Sequence, residues 1–381
     1  MLSNIIYICK YYNPIYNYFM VQNVYIHIPF CRQKCKYCSF VSFPNIEKKS
    51  KYLDALRQEI LLCYKNEQLK TLYIGGGTPS VLDVKEIDCI LRLFNTEPNA
   101  EITIEINPET VDYEYLCALQ KIGVNRISIG CQTFDDKILL EIGRIHNSHQ
   151  VIKTVKNAQN AGFKNISLDL IYGLPNQTIQ RFENDLNQAI NLEIQHISLY
   201  GLKIEEGCAF YYNIPNNLPD EDSQADMYLK ALSLMDKYGF EHYEISNFAQ
   251  KNFYSRHNLN YWDNNSYYGF GVAAHGYTNG VRYSNTSDID KYIENPIVNK
   301  GKKVLSLKEQ QEEEIFLGFR KMSGIDTNLF YKKFGINFDV KYKSVLDKYL
   351  KTGHIMKTPT GYKFTTDGIM VSNYILADFL E

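Results

Sequence analysis

From Val24 onward, short apolar runs alternate with longer stretches in which apolar residues recur every third or fourth position. The short runs Val24–Ile28, Thr71–Ile74, Ile102–Ile106, Arg126–Ile129, Ile166–Leu170 and His196–Tyr200 have the length and β-branched content of strands. The longer stretches have the period of amphipathic helices; in Tyr52–Tyr64, for example, Leu53, Leu56, Ile60 and Cys63 mark one buried face. Lys121-Ile122-Gly123 and Ala161-Gly162 supply helix stops before the fourth and fifth strands. A chain that repeats strand then helix builds parallel strands covered by helices, so the pattern predicts an α/β barrel or a doubly wound sheet.

The polar clusters favour the barrel. Cys31, Cys35 and Cys38 follow the first strand, Gly75-Gly76-Gly77-Thr78-Pro79 the second, and Glu105-Ile106-Asn107-Pro108 closes the third. Gly130-Cys131-Gln132 follows the fourth, and Asp169 ends the fifth just before Tyr172-Gly173-Leu174-Pro175. In a parallel barrel these ends share one face, the face that holds the active site. Six units are fewer than the eight of a complete barrel. After Tyr200 the rhythm fades: 201–222 reads as a loop, 224–238 as one more helix, and the Tyr- and Gly-rich stretch 253–285 as short strands and turns. From Ser306 charged helices lead into a hairpin at His354–Met356 and Tyr362–Thr365 and a closing helix, a winged-helix-like arrangement. The predicted divisions are an N-terminal extension outside the fold (1–20), the barrel (21–240), barrel-adjacent strands and loops (241–300) and the small C-terminal helical domain (301–381).

Composition narrows the class. At 381 residues and 45% hydrophobic content, the chain can bury one large core and a small second one. A formal charge of −2 leaves no footprint for nucleic acid or an anionic membrane, and Glu312, Glu313 and Glu314 spoil any basic stripe on the winged segment. Lys10, Asn13, Pro14 and Asn17 interrupt the N-terminal apolar residues, so no membrane insertion or signal peptide is expected there. Nine cysteines with one metal-like cluster fit a reducing compartment, hence a cytoplasmic protein.

The cluster is Cys31-x3-Cys35-x2-Cys38, whose soft ligands suit zinc or iron and sulfur. A structural zinc site wants a second ligand pair, which the chain lacks; a three-cysteine knot completed by His27 is the bland alternative. A [4Fe-4S] cluster held by three cysteines keeps one iron open for a ligand. Behind the strand Tyr25-Ile26-His27-Ile28-Pro29, this spacing resembles the radical S-adenosylmethionine (SAM) superfamily and its coproporphyrinogen oxidase-like branch, in which SAM chelates the open iron. That resemblance implies a partial, open (βα)6 barrel, with which the six strand–helix units agree, and a [4Fe-4S] cluster on Cys31, Cys35 and Cys38. It also implies SAM contacts from Tyr25, Tyr37, Gly77, Thr78, Glu105, Gln132, Arg144 and Asp169, with the Arg144 fork suited to the SAM carboxylate.

Two activities occur in this branch. One is oxygen-independent coproporphyrinogen III oxidation, a radical decarboxylation in porphyrin biosynthesis; the other is haem carriage by chaperones of the HemW family. The oxidase pattern has a further cysteine two positions beyond the third, where this chain has Phe40, and a longer region before the first strand. His257-Asn258-Leu259-Asn260-Tyr261-Trp262 is similar to the H-N-x-x-Y-W motif associated with haem binding in the HemW family, which makes His257 the expected haem ligand. The resemblance therefore implies haem as cargo, recipient haemoproteins as partners and, among the assemblies it allows, a homodimer. Lys203 departs from the small residue that the oxidases carry near the cofactor.

Overall fold

The computed structural model describes residues 20–297 and 301–380, so the expected extension lies, apart from Met20, outside the described residues. All six expected strands form, as β1 (Asn23–Ile28), β2 (Leu69–Gly76), β3 (Thr96–Ile106), β4 (Arg126–Gln132), β5 (Ile166–Tyr172) and β6 (His196–Gly201). They pair in chain order and all in parallel. Strand β3 begins six residues before the expected Ile102. Its polar lead-in Thr96-Glu97-Pro98-Asn99 hides the alternation, and the pairing with β2 shifts register between Leu69 and Thr71.

The sheet has nine strands rather than six. A hairpin of β7 (Glu241–Glu244) and β8 (Asn247–Ala249) joins antiparallel beyond β6, and β9 (Tyr268–Phe270) joins parallel beside β1. These strands are three or four residues long, below the length at which an apolar run stands out. Backbone bonds from Ile245 N–H to Arg320 O and from Met322 N–H to Tyr243 O attach the C-terminal unit along β7.

Each parallel strand has two unlike faces. Val24, Ile26, Ile28, Leu72, Ile74, Ile104, Ile127, Ile129, Leu168 and Leu170 enter one large core under the helices. The alternate positions are polar yet mostly buried: Asn23 and His27 in β1, Thr71 in β2, Thr103 in β3, Arg126 and Ser128 in β4, Ser167 in β5, His196 and Ser198 in β6. Strand residues of opposite parity point to opposite faces, so these line the inner face.

The segment after β8 closes the floor of that inner face. His257 to Trp262, expected in a region of strands and turns, instead lies on the helix Arg256–Trp262. Ser255 caps it by accepting from Asn258 N–H, and the buried Glu101 carboxylate accepts the free N–H groups of Arg256 and His257. On the far side, Ser255 N–H donates to Tyr243 Oη, which bonds His196 Nε2, whose Nδ1 bonds Ser167 Oγ. The helix thus spans from β2 and β3 to β6 and β7.

A second core, around Phe319, Phe330, Phe338, Tyr342, Phe364 and Phe379, takes in Tyr228 from the last barrel helix, Glu221–Lys237. The last of the charged helices expected before the hairpin is broken at Tyr342 into Phe338–Lys341 and Lys343–Lys351, because this ring turns into that core. The closing helix is likewise two pieces, Thr366–Met370 and Ser372–Ala377. The hairpin pairs Ile355–Lys357 with Gly361–Phe364, and Ile325–Asp326 adds a third strand.

Candidate functional site

Strand β1 delivers the thiol loop. Tyr52 Oη donates to His27 O and holds the strand end from behind, and Phe30 beyond it is fully buried. Cys31 N–H bonds Phe43 O and Phe43 N–H bonds Pro29 O, pinching the base of the loop. Two neighbouring segments brace its crown: Lys36 N–H donates to Ile142 O, and Phe210 N–H donates to Lys36 O. Cys31 is buried, while Cys35 and Cys38 are partly exposed.

Burial raises the Cys31 thiol; burial and the neighbouring thiols push Cys38 up to about 11. Such groups resist ionisation alone and give up their protons readily to a metal that binds thiolate. Among the described residues, no three His, Cys, Asp or Glu side chains are close enough to share one ion. Three thiolates spread around a cluster, one on each of three irons, need no such convergence. His27 is not a free fourth ligand: Nε2 donates to Val41 O at 2.8 Å, which leaves Nδ1 to accept from Tyr25 Oη at 3.0 Å. The donor set therefore fits an iron–sulfur cluster better than a zinc knot.

The glycine run has a packing reason that the sequence left open. Gly77 N–H bonds Ile28 O, and a Cβ there would stand 2.7 Å from Phe30 O. Gly76 has φ +115, and a Cβ on it would meet the His27 ring at 2.7 Å. The run lets β2 turn tightly across the end of β1 and sets Thr78 beside the thiols, its Oγ1 donating to Cys31 Sγ at 3.4 Å.

Arg144 links three strand ends. Its Nη2 donates to Asn107 Oδ1 and to Gly130 O, both at 2.7 Å, and Nη1 reaches Cys35 Sγ at 3.5 Å. Asn107 Nδ2 in turn donates to Thr78 Oγ1 at 2.9 Å. Tyr37 lies within electrostatic reach of Arg144, Cys35 and Cys38. Gln132 is buried at φ +70, a backbone conformation that a non-glycine residue adopts rarely.

Two carboxylates stand inside the rim. Glu105 accepts from Tyr73 Oη at 2.8 Å and Gly76 N–H at 3.0 Å, and burial raises it to about 7. Asp169 accepts from Ser128 Oγ at 2.9 Å and is raised by the same cause. Thr78, Arg144, Tyr37 and the cysteines thus gather at the mouth, with Glu105 and Asp169 just within. Tyr25 sits deeper, its ring stacked on Tyr73. Lys203 is exposed in the segment after β6.

His257 is not at the mouth. It is 1% exposed on the floor, stacked on Tyr73 with ring centroids 5.1 Å apart. Thr71 donates its hydroxyl to Asn23 Oδ1, so it accepts from His257 Nδ1–H at 2.8 Å, and Nε2 accepts from Tyr261 Oη at 2.8 Å. Burial lowers the imidazole to about 3, so the ring is neutral and offers no free lone pair to iron.

Sequence reasoning missed Tyr73, Ser128 and Arg126 as parts of the interior, and placed Asn107 at a strand end without giving it a role. The signal was available in the polar residues at every second position of strands otherwise made of Ile, Leu and Val.

Residues 25–189 match the Radical SAM superfamily, and residues 305–371 match the HemN C-terminal domain. The chain is 38% identical to Heme chaperone HemW of Bacillus subtilis, covering 94% of this chain and 99% of that one. The Lactococcus lactis protein of the same name is 36% identical over 94% and 97%. The chain belongs to the HemW family. The solved structure of Escherichia coli coproporphyrinogen III oxidase (HemN) superposes with a TM-score of 0.84 over 96% of this chain and 92% of that one. At 21% identity this likeness shows a shared fold, not a shared reaction. Radical SAM membership of the HemW family implies a [4Fe-4S] cluster and SAM. Among the described residues, no helix is long and apolar enough to cross a membrane.

Proposed function

We propose that this chain is a haem-carrying chaperone: it holds a [4Fe-4S] cluster on Cys31, Cys35 and Cys38, binds SAM at the strand ends, and delivers haem to haemoproteins. The observation that carries this reading is the nearly end-to-end identity with proteins named heme chaperone. Phe40, in place of the oxidase cysteine, supports it.

In this reading Arg144, which has N–H donors beyond those given to Asn107 and Gly130, pairs with the SAM carboxylate. Glu105 and Asp169 accept from its ammonium group or ribose hydroxyls, with Tyr25, Tyr37, Gly77, Thr78 and Gln132 shaping the walls. The cluster, when bound, supplies one-electron chemistry. His257 can serve as the haem ligand only if Nε2 gives up the Tyr261 hydroxyl, since Nδ1 carries the proton that Thr71 accepts.

The test uses one anaerobically reconstituted sample, titrated with haem by absorbance and assayed for coproporphyrinogen decarboxylation with SAM and a reductant. Stoichiometric haem binding without decarboxylation is expected; sustained decarboxylation overturns the reading in favour of the oxidase. In the same titration, unchanged haem affinity in His257→Ala removes that residue as ligand and leaves the carriage reading intact.

A further inference from the structure

Among the described residues, Arg126 in the barrel interior forms no direct ion pair, although its charge acts on Glu105 and Asp169 at longer range. Arg126 opens β4 on the inner face, two residues before Ser128, and is 2% exposed. Its Nε is enclosed without a hydrogen-bond partner, and no ion pair to its guanidinium forms among the described residues. The residue paired with it across the sheet, Thr103, is fully buried, and its Oγ1 is also enclosed without a partner. A buried guanidinium with an unsatisfied Nε and a buried, unsatisfied hydroxyl, neighbours in one row, are uncommon in a folded interior, where each such group costs stability.

The nearby carboxylates are engaged elsewhere. Glu105 is held by Tyr73 and Gly76, Asp169 by Ser128, and Glu101 by the N–H groups of Arg256 and His257. The nearby imidazoles, His196 and His257, are neutral, both lowered by burial and next by the charge of Arg126 itself. Arg126 also helps to hold down Glu105 and Asp169, so its field reaches the layer above. Planar N–H donors next to a hydroxyl match the geometry of a carboxylate.

We propose that Arg126 and Thr103 form a carboxylate site inside the barrel, one layer below Glu105 and Asp169 and separate from the Arg144 position. Its occupant is a carboxylate of a ligand seated in the interior: a propionate of the haem cargo, which rests on the haem-carrying reading, or a small free carboxylate.

The experiment uses the full chain as wild type, Arg126→Gln and Arg126→Lys, with haem, haem dimethyl ester and sodium propionate as probes. Wild type should bind haem more tightly than the ester by on the order of tenfold to a hundredfold, the range of a charge-assisted hydrogen bond. Arg126→Gln should erase that difference, and Arg126→Lys, which keeps charge without the fork, should fall between. If instead propionate, compared with chloride at equal ionic strength, raises the melting temperature of wild type but not of Arg126→Gln, the occupant is a small free carboxylate. Should haem not bind wild type at all, the carriage reading fails while the propionate arm still decides the site. Should Arg126→Gln not fold, the wild-type ester comparison and Arg126→Lys carry the test. If wild type discriminates neither haem from its ester nor propionate from chloride, the proposal is overturned, and Arg126 is only a counter-charge for Glu105 and Asp169.

Discussion

The mouth and the floor of the barrel are built from similar residue types to opposite ends. On the floor, Tyr261, His257, Thr71, Asn23 and Asn260 form an unbroken run of donors and acceptors, and Glu101 takes up the helix N–H groups beside it. At the mouth, three thiols stand on a braced loop, and burial and mutual repulsion raise Cys31 and Cys38. The run from Tyr261 to Asn260 finds its partners within the chain, Asn260 Nδ2 excepted, whereas in the proposed function the mouth is completed by something bound. A polar residue in a motif therefore means different things according to whether the chain supplies its partner.

The largest effect should come from the mouth. Replacing Cys31, Cys35 and Cys38 together by Ala should abolish the visible absorption of the reconstituted cluster. The fold should lose only about 1 kcal/mol, because the loop is anchored by backbone bonds from Cys31, Lys36 and Phe43 rather than by sulfur. Cluster absorption that survives the triple change would remove these residues as ligands. Unfolding of the triple variant would show that the mouth, like the floor, is structural.

His257→Ala is the corresponding change on the floor. It removes two hydrogen bonds and a ring stack from a buried position, leaves Tyr261 Oη without its acceptor and leaves the Thr71 hydroxyl bonded to Asn23 alone. A loss of about 3 kcal/mol is expected, seen as a lower urea midpoint at unchanged m-value, with cluster assembly retained. A loss below about 0.5 kcal/mol would mean that the floor is not a closed network.

That contrast also marks where the sequence was legible. The six parallel strands could be read from β-branched runs, and the site end from the polar cluster after each run, because both signals are local. The floor could not be read, since Glu101 and Arg256 are far apart in the chain, and nothing near His257 indicates that Thr71 waits for its Nδ1. The nine-stranded width was hidden because β8 and β9 are three residues each. His257 attracted a ligand role through motif resemblance. The helix that carries it depends on long-range partners, and no local pattern reports them.

The Glu105 carboxyl gives a pH test of the mouth. Its folded value of about 7 exceeds the ordinary 4.5, so between those values the folded chain keeps a proton that the unfolded chain has lost. This group therefore lowers stability as pH rises from 4.5 to about 7. A cationic ligand that needs the carboxylate should gain affinity across the same upper limit. SAM should bind roughly tenfold more tightly one unit above that value than one unit below it, and Glu105→Gln should flatten the slope. An equally steep slope in Glu105→Gln would assign the proton to another group.

The smallest effect is expected at Phe40, although this position separates the two activities in the sequence pattern. Its ring is 67% exposed, so Phe40→Ala should change stability by no more than about 0.5 kcal/mol. What position 40 offers the thiols is its backbone, since the Phe40 N–H bonds Cys38 and favours the thiolate. Ala preserves that donor and Pro removes it. Phe40→Ala should therefore lose its cluster to a chelator at the wild-type rate, and Phe40→Pro faster. Equal rates in all three proteins would show that this amide does not support the cluster. Faster loss in Phe40→Ala would show that the exposed ring shields it, and the mouth would then include a side chain that the geometry leaves outside.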